Sequence, residues 1–345
     1  MISLQKYNSM RTLFSICFSC IAFYSVSAQN IHSMREIIQT MDDSKITYSL
    51  QTGNPSPTDY SELVLTNDFY QTEIDGSTHA VTRYEPNDSA MFYMEQAESF
   101  FEKNDFNQAR NYYMKTLKVF PSYYKVWVYI GDTYYHQNSY SDALSWYQKA
   151  IDSNYLDYLA HWACANAYVH LGQPDKALKE ITIAKVLNRN NPRLTTQLIR
   201  IYGLNKKNYT DWYFTPIYDL SEDYDTESDE ETVRIVYKDY WMTYAMAKAV
   251  WKYEPGYADA MGNNILLGEK EAVAAYMQLA FSNKAAKKEI ATKVMKLALN
   301  NHCFESYVIY EALLPSMPQT AMFIDKDGIE SLVSYILDVR SKIKK

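Results

Sequence analysis

Between Ala90 and about Arg189, aromatic, apolar and small side chains return every 34 residues. Tyr93, Trp127 and His161 occupy one column, and Phe100, Tyr134 and Tyr168 another. Ala97, Gly131 and Ala165 form a column of small residues, and Ala109, Ala143 and Ala177 a second. Tyr113, Tyr147 and Ile181 follow, then Thr116, Ala150 and Ala184. Each unit holds two stretches, A and B, joined by a short turn. The turns between them are Lys103-Asn104-Asp105-Phe106, Gln137-Asn138-Ser139-Tyr140 and Gly172-Gln173-Pro174-Asp175. Where A and B cross, a side chain larger than a methyl group would push the axes apart, which accounts for the small columns. The aromatic columns fill the space between successive units, because no single unit can bury both of its faces.

Outside the repeats the pattern changes. Ile31, Met34, Ile37, Ile38 and Met41 share one helical face, and Pro55 and Pro57 forbid its continuation. Thr, Ile, Val and Tyr around Asp75-Gly76 permit a small hairpin within Phe69–Tyr84, with an irregular segment as the alternative. Asp88 or Ser89 is placed to cap the first repeat helix. Leu198 and Tyr202 keep the repeat phase in a helix over Arg193–Gly203, but Ile199 falls where a small residue belongs. This helix is expected to cap the stack. Asp219–Glu231 carries eight acids in thirteen residues and reads as a solvated linker, with Ser228 and Glu231 as a capping box for the next helix. Val233, Val236, Tyr237, Tyr240, Trp241, Tyr244, Ala247 and Trp251 fit a 3.6-residue period, which predicts a helix from Glu231 to Tyr253. Further helices are expected over Glu269–Phe281, Lys284–Leu299, Phe304–Leu314 and Gly328–Ser341, the last started by Asp327 and Glu330. The boundaries that follow are 1–28, 29–89, 90–204, 205–230 and 231–345.

Charge and the N-terminus narrow the reading. Lys6 and Arg11 precede the apolar run Leu13–Phe23, and Val26-Ser27-Ala28 supplies small residues before Gln29. This is the layout of a secretory signal peptide, and the run is too short to span a bilayer comfortably. Cys17 and Cys20 lack a full lipobox, so cleavage before Gln29 and a periplasmic or secreted location are expected. The whole chain has a formal charge of −7, and removing the segment takes two positive charges with it. No basic footprint for nucleic acid is present in that composition. Cys164 and Cys303 would remain; Cys164 falls on an inward column, so no required disulfide is expected.

The 34-residue period with these columns resembles the tetratricopeptide repeat, a helix–turn–helix unit that stacks into a solenoid. Two departures stand out. Pro121 matches the proline that ends helix B, but Tyr155 replaces it in the second unit and Pro192 is displaced in the third. The resemblance implies an all-α solenoid, with a C-terminal helical region and a short mixed N-terminal segment. It also implies a partner-binding inner surface lined by helix A residues. By position these are Met94, Glu98 and Phe101 in the first unit. The second contributes Val128, Asp132, Tyr135 and His136, and the third Trp162, Asn166, Val169 and His170. Relatives that clamp a peptide's terminal carboxylate use lysine, asparagine and arginine at some of these positions. Here Met94, Glu98, Tyr129, Leu159 and Ala163 stand there, so the clamp is missing. The sequence leaves open whether the rings face a partner or pack against the chain's own flanks.

No phosphate loop, nucleophile elbow or HExxH is present. His302-Cys303 with Glu305 is the one compact trio of reactive types, and neighbouring residues on a helix point apart. His161 and His170 fall on different helix faces, so neither a metal nor a cofactor is expected. The leading expectation is an exported, non-catalytic scaffold that binds a protein or peptide. Alternatives are a secreted carbohydrate or small-molecule binder using the aromatic groove, and an enzyme in the C-terminal region.

Overall fold

Ser33 starts the first helix, α1 (Met34–Asp42), by a reciprocal cap: its hydroxyl accepts from the Glu36 N–H, and the Glu36 carboxylate accepts from the Ser33 N–H. The computed structural model describes residues 31–66, 68–73, 79–225, 230–261 and 264–343. The segment 1–28, the Asp75-Gly76 turn and Ser228 lie outside these residues. After α1 come β1 (Thr47–Thr52) and an antiparallel pair, β2 (Phe69–Glu73) and β3 (His79–Arg83), with Phe69 opposite Arg83. The hairpin alternative is thus the one adopted.

Helices then follow in pairs: α2 (Asp88–Glu102) with α3 (Phe106–Val119), α4 (Val126–Tyr135) with α5 (Tyr140–Ser153), and α6 (Tyr158–His170) with α7 (Pro174–Leu187). Asn87, rather than Asp88 or Ser89, caps α2, accepting from the Ala90 N–H at 2.9 Å. Both small columns are buried. A Cβ on Gly131 would sit 2.4 Å from Tyr147 Cε1, so the ring of helix B occupies the space a side chain would need.

The turns between A and B share one geometry. Asn104, Asn138 and Gly172 have φ of 60°, 61° and 69°, in the left-handed region. The N–H groups of Asp105, Ser139 and Gln173 donate to the carbonyls of Phe100, Tyr134 and Tyr168 at 2.9, 3.0 and 2.9 Å, closing each helix end with a Schellman cap. Next comes α8 (Pro192–Leu204), and the cap recurs in phase: Lys206 has φ of 55°, and the Lys207 N–H reaches the Tyr202 carbonyl at 2.9 Å. Thus α8 has the geometry of a fourth helix A. Ile199, at its small position, is exposed because no helix B follows to press on it.

The first part of the acidic stretch expected as a linker, Asp219 to Asp225, is instead in a strand. β4 (Tyr218–Asp225) pairs antiparallel with β5 (Glu230–Tyr237), and β1 runs parallel along the other side of β5, from Thr47 opposite Thr232 to Thr52 opposite Tyr237. The helix expected from Glu231 therefore starts later. Val233 and Ile235 point inward while Arg234 is exposed, the alternation of a half-buried strand. A 3₁₀ turn at Asp239–Trp241 leads into α9 (Met242–Tyr253), then α10 (Pro255–Met261) and α11 (Ile265–Ala280). The helix expected over Lys284–Leu299 is split into a 3₁₀ turn (Ala286–Lys288) and α12 (Ile290–Asn300). α13 (Phe304–Tyr307) passes through a π turn into α14 (Leu314–Ser316). Asp325, not Asp327, caps α15 (Lys326–Ser334), accepting from the Gly328 N–H at 2.7 Å.

One core joins the two ends of the chain. Met34 and Ile37 of α1 pack in the same cluster as Val233 and Ile235 of β5, Val250 of α9 and Val273 of α11. His32 adds a polar tie: its backbone N–H donates to Glu271 Oε1 at 2.7 Å, and its ring Nδ1 lies 2.6 Å from the same oxygen. Structurally, the repeats are an insertion into a body made from both flanks. Ile183, Val186 and Leu187 on the back of α7 bury themselves in that body.

A buried charged network welds the last repeat to it. Arg189, standing where the first unit has Pro121, donates to Asp211 Oδ1 at 2.9 Å and to the Trp212 carbonyl at 2.6 Å. Its guanidinium is 4.4 Å from each of the Tyr213 and Tyr310 ring centres. Arg340 donates to Glu311 Oε1 at 2.7 Å and to the Thr210 carbonyl at 2.9 Å. Lys185 donates to Thr195 and lies 3.5 Å from Asp211 Oδ2. Burial alone would raise the Asp211 carboxyl, but Arg189 and Lys185 hold it well below the usual carboxylate range. At Glu311 the balance reverses, and burial pushes its carboxyl up despite Arg340 and Arg189.

Candidate functional site

Helix α4 projects Val128, Tyr129, Asp132, Tyr135 and His136 along one face, at relative positions 0, 1, 4, 7 and 8. Helix α6 does the same with Leu159, Trp162, Ala163 and Asn166, at 0, 3, 4 and 7. These residues, with Tyr147 from α5, line a cavity of about 240 Å³ on the inner side of the stack. Six sequence-predicted positions therefore meet in one place: Val128, Asp132, Tyr135, His136, Trp162 and Asn166.

The other predicted residues extend the same surface. Glu98 is the counterpart of Asp132 one unit earlier, and the two are held alike: the Tyr113 hydroxyl donates to Glu98 Oε1 and the Tyr147 hydroxyl to Asp132 Oδ1, both at 2.7 Å. In the third unit Ile181 replaces the tyrosine, and Asn166 Oδ1 accepts instead from Gln197 of α8 at 2.5 Å. Phe101 meets the His136 ring edge-on at 5.2 Å. Tyr135 meets His170 at 5.4 Å, and His170 stacks on Tyr140 at 4.3 Å. Met94 and Val169 are half-buried at the margins, Met94 with the first unit's core and Val169 with the third's.

The flanks pack elsewhere. Tyr70 of β2 stacks on Tyr84 at 4.8 Å and meets Tyr124, which precedes α4, at 5.6 Å. The Asn154 side chain donates to the Phe69 carbonyl at 3.1 Å. The C-terminal body meets helix B of the third unit, where Lys179 pairs with Glu330 at 2.9 Å. Among the described residues, all those lining the cavity belong to the repeats.

Electrostatically the groove is acidic. Burial, reinforced by Glu98 and Asp157, pushes the Asp132 carboxyl up to about 6 despite the Tyr147 hydrogen bond. Burial also raises the Tyr135 phenol. The indole Nε1 of Trp162 is buried without a hydrogen-bond partner among the described residues.

Tyr129, Leu159 and Ala163, expected only as the positions of missing clamp residues, form part of the wall. Tyr147 belongs to a packing column, and its ring does pack against Gly131. Its hydroxyl, however, turns to the groove. The signal for that was the shared interval of 15 between Glu98 and Tyr113 and between Asp132 and Tyr147.

The reactive trio does not assemble. Glu305 pairs with Lys270 at 2.6 Å, His302 is exposed, and Cys303 donates weakly to the Ala298 carbonyl. Burial pushes the Cys303 thiol up, away from the thiolate a nucleophile needs. Cys164 and Cys303 are both free. Among the described residues no three His, Cys, Asp or Glu side chains are grouped to hold a metal, and no helix is long and apolar enough to cross a membrane.

Residues 94–154 match the family model of the tetratricopeptide repeat. No curated protein matches the chain. Among solved structures it is similar to the TPR domain of Arabidopsis OM64, with 16% identity, 34% of this chain and 96% of that one covered, and a TM-score of 0.32. It is also similar to the TPR2B domain of yeast Sti1, solved as a complex with pHsp70, with 15% identity, 34% and 99% covered, and a TM-score of 0.31. YrrB, described as a TPR protein with an unusual peptide-binding site, shares 17% identity over 62% of this chain and 89% of its own, with a TM-score of 0.30. With that family match and the recurring columns and caps, the helical stack of this chain is built of tetratricopeptide repeats.

Proposed function

We propose that this chain is an exported protein-interaction scaffold that holds a partner polypeptide in the groove between α4 and α6. The observation that carries the reading is the groove itself: rings from successive units line a cavity that the described flanks leave uncovered. Large, rigid rings in a partly desolvated cleft are the groups that anchor protein partners. Export rests on the charged-then-apolar segment 1–28 with its small residues before Gln29. A non-catalytic role is supported by the engagement of Glu305 with Lys270 and by the burial that keeps the Cys303 thiol protonated.

The test is a pull-down of the chain from Gln29 onward against envelope extract, beside its Tyr135→Ala and Trp162→Ala variants. The expected result is a partner identified by mass spectrometry, rebound as a purified protein, and lost in both variants. A purified partner that binds all three forms equally would remove the groove from the function.

A further inference from the structure

We propose that the groove selects a partner segment carrying a lysine or arginine, whose stem lies against the rings of Tyr129, Tyr135 and Trp162 and whose charge meets Asp132. The inference rests on the polypeptide-groove reading and names what that groove would recognise.

Three observations point to a basic side chain. The first is unpaired negative charge. Asp132 and Glu98 accept from tyrosine hydroxyls, but among the described residues no lysine or arginine forms an ion pair with either. Second, the rings of the groove carry no cation of this chain among the described residues. Elsewhere in the stack, rings carry cations of the same chain: Arg110 lies 4.3 Å from the centre of Tyr134, Lys149 3.7 Å from Trp127 and Lys115 4.1 Å from Tyr112. Among the described residues none lies over Tyr129, Tyr135 or Trp162, although ring quadrupoles beside a carboxylate are a favourable place for one. Third, the cavity has the wrong size for a drug-sized molecule. At about 240 Å³ it falls below the roughly 300–1,000 Å³ of pockets that enclose such ligands, and it suits one long side chain.

The neighbours of Asp132 make the same case. Glu98 of α2, Asp157 at the start of α6 and the Tyr147 hydroxyl of α5 face it, and His136 ends its own helix at the rim. Arg200 of α8 acts on Tyr135. In the free protein the Asp132 carboxylate is desolvated beside two other acids, and its pKa of about 6 reports that cost. A bound cation relieves it, so affinity falls as pH drops through about 6. For the same reason Asp132→Asn melts no lower than the parent at pH 7.5, since it removes a buried like-charge repulsion and keeps an acceptor for Tyr147.

A displayed library of random ten-residue peptides, panned on the full chain at pH 7.5 and counter-selected on Trp162→Ala and Tyr135→Ala, tests this. Groove-dependent peptides are expected to share a lysine or arginine. Replacing it by glutamine, or Asp132 by asparagine, should weaken binding about tenfold, in keeping with a desolvated cation over rings and a carboxylate. Raising salt or moving to pH 5 should weaken it too. Groove-dependent peptides without a basic residue, or with equal affinity for Asp132→Asn, would overturn the inference and leave the polypeptide groove standing. Recovery of no peptide that distinguishes the ring variants would overturn both.

Discussion

Gly131 and Gly203 sit in helices of the same stack under opposite constraints. Helix propensity alone favours alanine over glycine by about 1 kcal/mol at each. At Gly203 nothing lies within 4 Å of an added Cβ, so Gly203→Ala should stabilise by about 0.5–1 kcal/mol. At Gly131 the Cβ would enter the Tyr147 ring, and overpacking of this kind costs about 1–3 kcal/mol. Gly131→Ala should therefore lower the melting temperature while Gly203→Ala raises it; parallel thermal melts decide, and a rise in both would refute the close approach. The need for small residues at A–B crossings was legible because it repeats with the period. Arg189 was not. It showed only as a departure from Pro121, because its partners Asp211, Trp212 and Tyr310 lie 22 to 121 positions away, where no local pattern reaches.

For whole elements, the repeat helices could be read because each returns the same columns. Their turns hold a further column that side-chain chemistry disguised. Asn104, Asn138, Gly172 and Lys206 are alike only in having positive φ. Asparagine and glycine tolerate that region, whereas lysine bears a cost of roughly 1–2 kcal/mol there. Lys206→Gly should recover about 1 kcal/mol, less the extra chain entropy of glycine, and urea denaturation would show it as a higher midpoint at unchanged slope. The β4–β5 pair misled for a different reason. Val233 and Ile235 alternate, but Val236, Tyr237, Tyr240 and Tyr244 also satisfy a helical period across the strand–helix boundary. Strands and helices of short apolar runs overlap in this way. Asp219, Glu222 and Asp223 of β4 read as solvated because they are: β4 is an edge strand, and charge on an edge discourages pairing with another chain.

Across the whole molecule, stability at the junction depends on Lys185. Burial, with Arg189 beside it, pushes its ammonium down to about 7. The folded value thus lies below the unfolded value of roughly 10.4, and between the two the unfolded chain holds the extra proton. Stability from this group therefore rises as pH climbs from about 7 toward 10. Lys185→Met removes that dependence, so the parent should gain on the variant between pH 7 and pH 9 in urea denaturation; parallel curves would mean the ammonium is not desolvated. Neither this junction nor the insertion leaves a local mark in the sequence, because the body is discontinuous along the chain. The parallel pairing of β1 with β5 has a kinetic consequence. Thr47 is synthesised long before Thr232, a delay on the order of 10 s at roughly 5–20 residues per second. The repeats, dominated by contacts between neighbours, can fold within that interval, while β1 has no strand to join. On that order the groove is expected to form before the body that anchors it has closed.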